Sequence, residues 1–142
     1  MPLSSDADIA RVLARTRSIA LIGASADPAR PSHRVARFLI EEGYEVHPVN
    51  PALAGQQLHG CEVRATLADI PVAVDMVDVF RQPQFLADIV EQAAEVGIDI
   101  VWTQLGVVNA AAALAAEASG LEVVMDRCPA IELPRLRQLG LL

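Results

Sequence analysis

Short apolar runs alternate with amphipathic segments along the whole chain. Five runs are too short for helices and rich in β-branched residues, which predicts buried strands at 19–22, 44–49, 74–80, 98–102 and 122–125. Segments with apolar residues three or four positions apart predict helices at 5–15, 31–42, 85–96, 109–119 and 131–139. Weaker patterns predict a loop at 52–60, an extended segment at 61–64 and one helical turn at 67–70.

This alternation predicts an α/β fold: a single doubly wound, mostly parallel sheet with helices on both faces, of the Rossmann-like type. A chain of 142 residues suits one domain, so residues 1–142 are predicted to form it, with a helix within residues 1–15 packing on it. In such a sheet, ligands bind at the carboxyl ends of the strands, where the strand order reverses. That rule selects five candidate segments for ligand binding, which are residues 23–25, 49–51, 79–81, 104–106 and 126–128.

Composition narrows the function classes. The formal net charge of −7 argues against general attraction to nucleic acid, whose binding proteins display basic faces. No apolar run approaches the roughly 20 residues that a membrane helix needs. The amino terminus has no basic region followed by an apolar stretch, and Cys61 and Cys128 are the only cysteines. We therefore expect no signal peptide, no disulfide framework and a cytoplasmic location.

The first predicted strand ends in a turn of small residues, Gly23-Ala24-Ser25, and a helix follows at Pro31 or Ser32. The first amides of a helix have no partner within it, and the helix dipole attracts anions there. This arrangement predicts a phosphate site, with Arg30 and Arg34 close enough to neutralise the charge. An ordinary tight connection between strand and helix is the alternative.

The turn differs from two better-known phosphate loops. The dinucleotide fingerprint needs glycines where this chain has Ser25 and Pro28. A Walker loop needs a lysine, and all eleven basic residues here are arginines. What remains is a Gly-x-Ser turn with nearby arginines.

The same strand ends carry a family resemblance that covers the chain from about Thr16 to Cys128. The chain resembles the small bacterial CoA-binding proteins, which are similar to the CoA-binding Rossmann domain of succinyl-CoA synthetase α subunits and acyl-CoA synthetases. Six ordered segments carry the resemblance: Gly23-Ala-Ser25, Arg30-Pro-Ser-His-Arg-Val35, Pro48-Val-Asn-Pro51, Asp78-Val-Phe-Arg81, Val101-Trp-Thr-Gln-Leu-Gly106 and Val124-Met-Asp-Arg-Cys-Pro129. The catalytic domain with the phosphorylated histidine has no counterpart in this sequence.

The resemblance implies a module that binds coenzyme A or an acyl-CoA at the carboxyl edge of the sheet. By position, Gly23, Ala24 and Ser25 would hold a phosphate, and Arg30 and Arg34 would neutralise it. CoA carries a diphosphate and a ribose phosphate, which need several amide and guanidinium donors.

Five further residues are candidates at the neighbouring strand ends. Asn50 stands where NAD enzymes place the acidic residue that holds a ribose, which disfavours NAD. Phe80 and Arg81 are placed to pack against adenine or pantetheine, or alternatively to form a core aromatic and a structural ion pair. Gln104 offers hydrogen bonds to a ligand, and Gly106 permits a close approach of the backbone.

Other functions stay open at this point. A nicotinamide-dependent oxidoreductase, a thiol-dependent acyl transferase using Cys128, and an interaction protein with a decayed site are the alternatives. A thiol beside Arg127 at a helix start loses its proton more easily, whereas a buried structural cysteine is inert. The three histidines show no metal-ligand spacing, and no catalytic group is evident. The protein partner is unknown, and monomer and homodimer both fit.

Overall fold

The computed structural model describes all 142 residues, Met1–Leu142. Its α-helices are α1 (Asp6–Arg15), α2 (Pro31–Glu41), α3 (Leu86–Glu95), α4 (Ala110–Ala118) and α5 (Pro129–Gln138). Its strands are β1 (Ser18–Ile22), β2 (Glu45–Val49), β3 (Gln57–Leu58), β4 (Cys61–Glu62), β5 (Met76–Val79), β6 (Ile100–Thr103) and β7 (Glu122–Val124). Short 3-10 helices cover Pro51–Leu53, Leu67–Asp69 and Pro83–Phe85.

Five strands form one sheet in the order β2-β1-β5-β6-β7, and all of its pairings are parallel. The chain adds β2 on one side of β1 and then crosses back to add β5 on the other side. The strand order therefore reverses between β1 and β5. This confirms the predicted fold class and identifies the crevice in which such sheets bind ligands.

Helices cover both faces of the sheet. Alternate strand residues point to opposite faces, so Leu21 and Met76 belong to one core while Ala20 and Val77 belong to the other. The first core lies beneath α1, α2 and α5, and the second lies beneath α3 and α4. With both faces covered, all five residues of β1 are buried, which explains its continuous apolar run.

The helix starts follow from short polar caps. Ser5 accepts a hydrogen bond from the Asp8 amide (3.1 Å), and Asn109 accepts one from the Ala112 amide (3.1 Å). Each cap satisfies one amide that the first helical turn leaves unpaired. The helix α1 contributes Ile9 to the first core and packs beside α5, and none of the helices is long and apolar enough to cross a membrane.

The structure corrects the prediction of a plain loop at 52–60. Gln57–Leu58 pairs antiparallel with Cys61–Glu62, so part of that segment forms a hairpin. Its two connecting residues, His59 (φ 50°) and Gly60 (φ 81°), both have positive φ, as a tight hairpin turn requires. Histidine adopts this conformation less often than asparagine or aspartate in such turns, so the sequence carries no strong hairpin signal. The last helix also begins two residues earlier than predicted, at Pro129.

Candidate functional site

A groove of about 600 Å³ lies over the carboxyl ends of β1, β2 and β5, where the strand order reverses. We call it the switch-point groove. Seven of the ten residues proposed from the sequence line it: Gly23, Ala24, Ser25, Arg30, Asn50, Phe80 and Arg81. The fold therefore brings together residues that are up to 58 positions apart in the chain.

Gly23 is fixed at the floor of this groove by its conformation and by its neighbour. Its φ is +88°, and a Cβ atom there would lie 2.9 Å from the carbonyl oxygen of Phe80. Both features exclude any larger residue without displacement of the backbone. The amides of Gly23 and Ala24 donate to the Val49 carbonyl oxygen at 3.1 and 3.3 Å. These two amides bind the turn to β2 and are already paired.

The backbone amides of the next two residues in the turn, Ser25 and Ala26, make no hydrogen bond within the protein. The loop around them is nevertheless ordered, because Ser25 Oγ accepts from the Asp27 amide (3.1 Å) and the Ser25 carbonyl oxygen accepts from His33 Nδ1 (2.9 Å). A carbonyl oxygen only accepts, so His33 carries its proton on Nδ1. The turn thus presents two free amides on a loop that its own hydrogen bonds hold in place.

The beginning of α2 adds positive potential to the same groove. Arg30 is the residue that precedes the helix, and no side chain accepts a hydrogen bond from the first helical amides. Arg30 and Arg81 both line the groove, and neither forms a salt bridge. The Arg81 guanidinium instead lies 4.1 Å from the centre of the Phe85 ring. The structural ion pair, which was the alternative role for Arg81, therefore does not form.

Asn50 joins the turn to β2. Its Nδ2 donates to the Ala24 carbonyl oxygen (2.7 Å), and its Oδ1 accepts from the Ala52 amide (2.9 Å). The side chain therefore positions the Gly23-Ala24 backbone from the end of the neighbouring strand. The Ala24 side chain itself is buried in the first core.

A smaller cleft of about 300 Å³ adjoins the switch-point groove on the α3 side. The two share Gly23, Asn50, Arg81 and Phe85 as lining residues. We call it the inner cleft. Its other lining residues are mostly apolar at its base and polar at its rim: Ile22, Val49, Pro51, Ala65, Thr66, Leu67, Asp88, Ile89 and Gln92. Its lining suits a partly apolar group with polar edges.

Two other predicted residues line a separate groove of about 490 Å³ between α2 and the start of α5. We call it the α2–α5 groove, and its lining residues are Pro31, Arg34, Val35, Phe38, Gln104, Leu105, Cys128 and Ala130. Arg34 therefore does not share a groove with Arg30. Its Nη1 donates to the carbonyl oxygens of Ala29 (2.9 Å) and Pro28 (3.4 Å), which fastens the preceding loop to α2.

Gly106 lines neither groove. Its amide donates to Asp126 Oδ1 (2.7 Å), which ties the ends of β6 and β7 together. Its φ is +83°, and a Cβ atom there would meet nothing within 4 Å. Glycine therefore serves the backbone conformation at this turn, and the protein itself makes no close approach there.

Cys128 is the residue before α5, and it is 7% exposed. Its neighbour Arg127 donates to Glu132 Oε1 (2.9 Å) and to the Ser4 carbonyl oxygen (3.3 Å). The arginine charge is thus paired with a carboxylate of α5. No three His, Cys, Asp or Glu side chains come together in a way that would hold a metal ion.

Two features near the site are not apparent from the sequence. Phe85 lies within the helix predicted at 85–96, but in the structure it precedes α3, is 40% exposed and lines the switch-point groove. Asp78, in the middle of β5, is fully buried, and neither carboxyl oxygen has a hydrogen-bond partner. Burial raises the pKa of the Asp78 carboxyl well above its ordinary value. The signal for it was one acidic residue flanked by Val77 and Val79.

A parallel sheet of this order, with a small-residue turn and a helix start at its switch point, defines the class of Rossmann-like nucleotide-binding folds. The chain belongs to the CoA-binding domain family, whose model matches residues 17–134. The family resemblance given by the six sequence segments is therefore confirmed.

Three relatives show the extent of the similarity. The chain is 35% identical over 124 residues to the uncharacterized protein YneT of Bacillus subtilis, covering 87% of this chain and 90% of that protein. A structure of a hypothetical protein from Pyrococcus horikoshii OT3 superposes with a TM-score of 0.90 at 37% identity, covering 96% of each chain. The α subunit of an ADP-forming acetate–CoA ligase from Pyrococcus furiosus is 32% identical over 89 residues, covering 60% of this chain.

That match spans only 19% of the ligase subunit, so it does not carry the ligase reaction to this chain. Together, the family and the ligase similarity support a CoA-related role.

Proposed function

We propose that this protein binds coenzyme A or an acyl-CoA at the switch-point groove, without catalysing a reaction on it. In this role the protein would deliver, sense or buffer the ligand within the bacterial cytoplasm. The diphosphate is placed over the Ser25 and Ala26 amides and the beginning of α2.

One observation carries this proposal. In a chain of the CoA-binding domain family, the switch-point groove combines two unpaired backbone amides with two arginines that have no carboxylate partner. Phosphate oxygens need several donors at once, and arginine supplies two parallel hydrogen bonds to such a group. The protein carries a net charge of −7, so these local donors must attract the anion against the field of the whole molecule.

The hydrogen bonds of the turn refine the roles inferred from the sequence. Because the Gly23 and Ala24 amides are paired with Val49, we assign the phosphate contacts to Ser25 and Ala26. Gly23 and Asn50 are then positioning residues that hold the turn open and fixed. Arg30 is the side chain placed to neutralise the phosphate, since Arg34 lines the other groove.

The inner cleft is the proposed place of the adenine ring. It adjoins the phosphate position and offers apolar walls from Val49, Leu67 and Ile89. Thr66 and Gln92 supply polar groups for the ring nitrogens. An aromatic base with polar edges fits this combination, which is the usual composition of small-molecule sites.

Calorimetric titration with CoA tests the proposal through a pair of arginine variants. Arg30→Ala removes a charge from the groove, whereas Arg37→Ala removes an equal charge from an exposed i,i+4 pair with Glu41. A charge-assisted hydrogen bond contributes about 1.5 kcal/mol or more, so Arg30→Ala should weaken CoA binding at least about tenfold. Arg37→Ala should leave it nearly unchanged. Equal effects of the two variants would contradict the proposed contact, and absence of CoA binding by the natural protein would contradict the function.

A further inference from the structure

The turn at Ser25 and Ala26 is held by a histidine that lies outside the switch-point groove. His33, in the first turn of α2, donates from Nδ1 to the Ser25 carbonyl oxygen at 2.9 Å. His33 lines neither the switch-point groove nor the inner cleft nor the α2–α5 groove. An effect of this side chain on a ligand in any of them must therefore pass through the turn.

The hydrogen bond from His33 fixes the orientation of one peptide unit. The Ser25 carbonyl and the Ala26 amide belong to the same peptide bond, and no peptide bond of the chain is cis. In a planar trans peptide the C=O and N–H bonds point in opposite directions. With its carbonyl oxygen held by His33, this peptide keeps the unpaired amide of Ala26, a lining residue of the groove, directed away from the histidine. A rotation of the peptide that redirected the amide would also break the hydrogen bond to His33.

A second histidine holds the first. His59 Nε2 donates to the His33 carbonyl oxygen at 2.9 Å. The two half-buried rings lie edge to face, with their centroids 4.4 Å apart and their planes at 64°. Because a carbonyl oxygen only accepts, His33 carries its proton on Nδ1 and His59 carries one on Nε2. Two hydrogen bonds thus connect the β3–β4 hairpin to the turn, in the order His59, His33, Ser25.

The hairpin residue that makes this connection has an unusual backbone. His59 has a φ of 50°, in the region that asparagine adopts more readily than histidine, and Gly60 follows it. Asparagine followed by glycine is a preferred pair for such a two-residue turn. Asparagine is too short, however, to bring a donor to the position of His59 Nε2. Leu58, the residue before it, is buried in the first core and anchors the hairpin. The histidine therefore serves the contact with His33 better than it serves the turn.

We infer that His33 and His59 are positioning residues for the phosphate contact, and that the β3–β4 hairpin supports the switch-point groove through them. This inference rests on the proposed function. His33 holds the Ser25–Ala26 peptide in the orientation that binds the phosphate, and His59 holds His33. Neither side chain touches the ligand. A turn that is already held in its binding orientation loses less conformational freedom when the ligand binds, so this support contributes to affinity.

Calorimetric titration with CoA tests the role of His33 through loss and rescue. His33→Phe keeps an aromatic ring and removes the Nδ1 donor, whereas His33→Asn restores an N–H donor near the position of Nδ1. His33→Phe should weaken CoA binding about fivefold, which is the value of one neutral hydrogen bond, and His33→Asn should bind within about twofold of the natural protein. His47→Phe is the matched control, because His47 is half-buried in β2, contacts Glu45 of its own strand and lines none of these sites. It should bind CoA as the natural protein does.

His59→Asn separates support of the turn from stability of the fold. This change favours the hairpin turn and removes the donor to the His33 carbonyl oxygen. CoA binding should weaken about two- to threefold, because His59 acts on Ser25 only through His33, while the midpoint of urea unfolding should not fall. Unchanged CoA binding by His59→Asn would overturn the role of His59.

Amide hydrogen exchange, followed by NMR, reports on the peptide itself. CoA at saturation should slow the exchange of the Ser25 and Ala26 amides in the natural protein, because both then donate to the phosphate. In saturated His33→Phe, the Ala26 amide should be protected less than in the natural protein, since its peptide is free to rotate.

The contrary outcomes are distinct. If the natural protein binds CoA and His33→Phe binds it equally well, the inference is overturned while the proposed function stands. The inference is likewise overturned if His33→Asn binds as weakly as His33→Phe, or if Ala26 gains the same protection in both saturated proteins. If the natural protein binds no CoA, the proposed function fails, and this inference fails with it.

Discussion

The turn at Gly23 offers the sharpest test of how the site is built. Gly23→Ala adds one methyl group at φ +88°, where that methyl would lie 2.9 Å from the Phe80 carbonyl oxygen. Phe80 belongs to the backbone that follows β5, so the contact cannot be relieved by rotating a side chain. The change therefore combines an unfavourable backbone conformation with a collision between neighbouring strand ends.

Gly120→Ala is the matched control for this variant. Its φ is +87°, nearly the same as that of Gly23, and its added methyl would meet nothing within 4 Å. The left-handed conformation costs an L-residue about 1–2 kcal/mol, which should be the whole effect at Gly120. The collision with Phe80 should add about 1–3 kcal/mol at Gly23, as overpacked cores do.

Urea unfolding at 25 °C measures the two effects on one scale. With a slope of about 2 kcal/mol per molar urea, the midpoint of Gly23→Ala should lie about 1 M below that of Gly120→Ala. The slopes should be equal, since both proteins expose the same surface on unfolding. If Gly23→Ala and Gly120→Ala lower the free energy of unfolding by the same amount, the inferred close approach of Gly23 to the Phe80 backbone is wrong.

Two further changes test buried charges. Asp78→Asn removes the carboxyl whose pKa burial raises, so the folded natural protein holds a proton that the unfolded chain releases above about pH 4. As the pH rises above about 4, the free energy of unfolding of the natural protein should fall relative to that of Asp78→Asn by up to about 1.4 kcal/mol per pH unit, until the pH passes the raised pKa. Urea titrations of both proteins from pH 4 to 9 measure this difference. If the two free energies of unfolding depend on pH in the same way, the reasoning is refuted. Glu132→Gln should cost about 1–3 kcal/mol, because the side chain is 7% exposed and accepts from Arg127 and Arg135 at 2.9 Å. Glu42→Gln, at a more exposed ion pair, should cost less than about 1 kcal/mol in the same unfolding assay, and the reverse order would contradict the reasoning.

The sheet was predictable because its strands are buried on both faces. Runs such as Ile19–Ile22 are apolar throughout, and glycines such as Gly97 and Gly120 mark the helix ends before the next strand. The hairpin at His59-Gly60 was not predictable, since its strands are two residues long and its turn lacks the usual asparagine or aspartate.

The candidate site was predictable as a set of strand ends but not as a geometry. Arg30 and Arg34 are four residues apart, yet the helix start separates them into different grooves. The spacing of the two arginines in the sequence does not reveal this separation, because the separation depends on how α2 packs against the sheet and α5. The pairing of the Gly23 and Ala24 amides likewise follows from the register of β1 against β2, which places the Val49 carbonyl oxygen beside them.

Thermal unfolding at low salt, with CoA, NAD, NADP or no ligand, distinguishes CoA from a nicotinamide dinucleotide as the ligand of this protein. A ligand at 100 times its dissociation constant stabilises the folded protein by about 2.7 kcal/mol, which should raise the midpoint by about 5 to 10 °C for a chain of this size. We expect this shift with CoA and none with NAD or NADP. A shift with a nicotinamide dinucleotide and none with CoA would contradict this expectation.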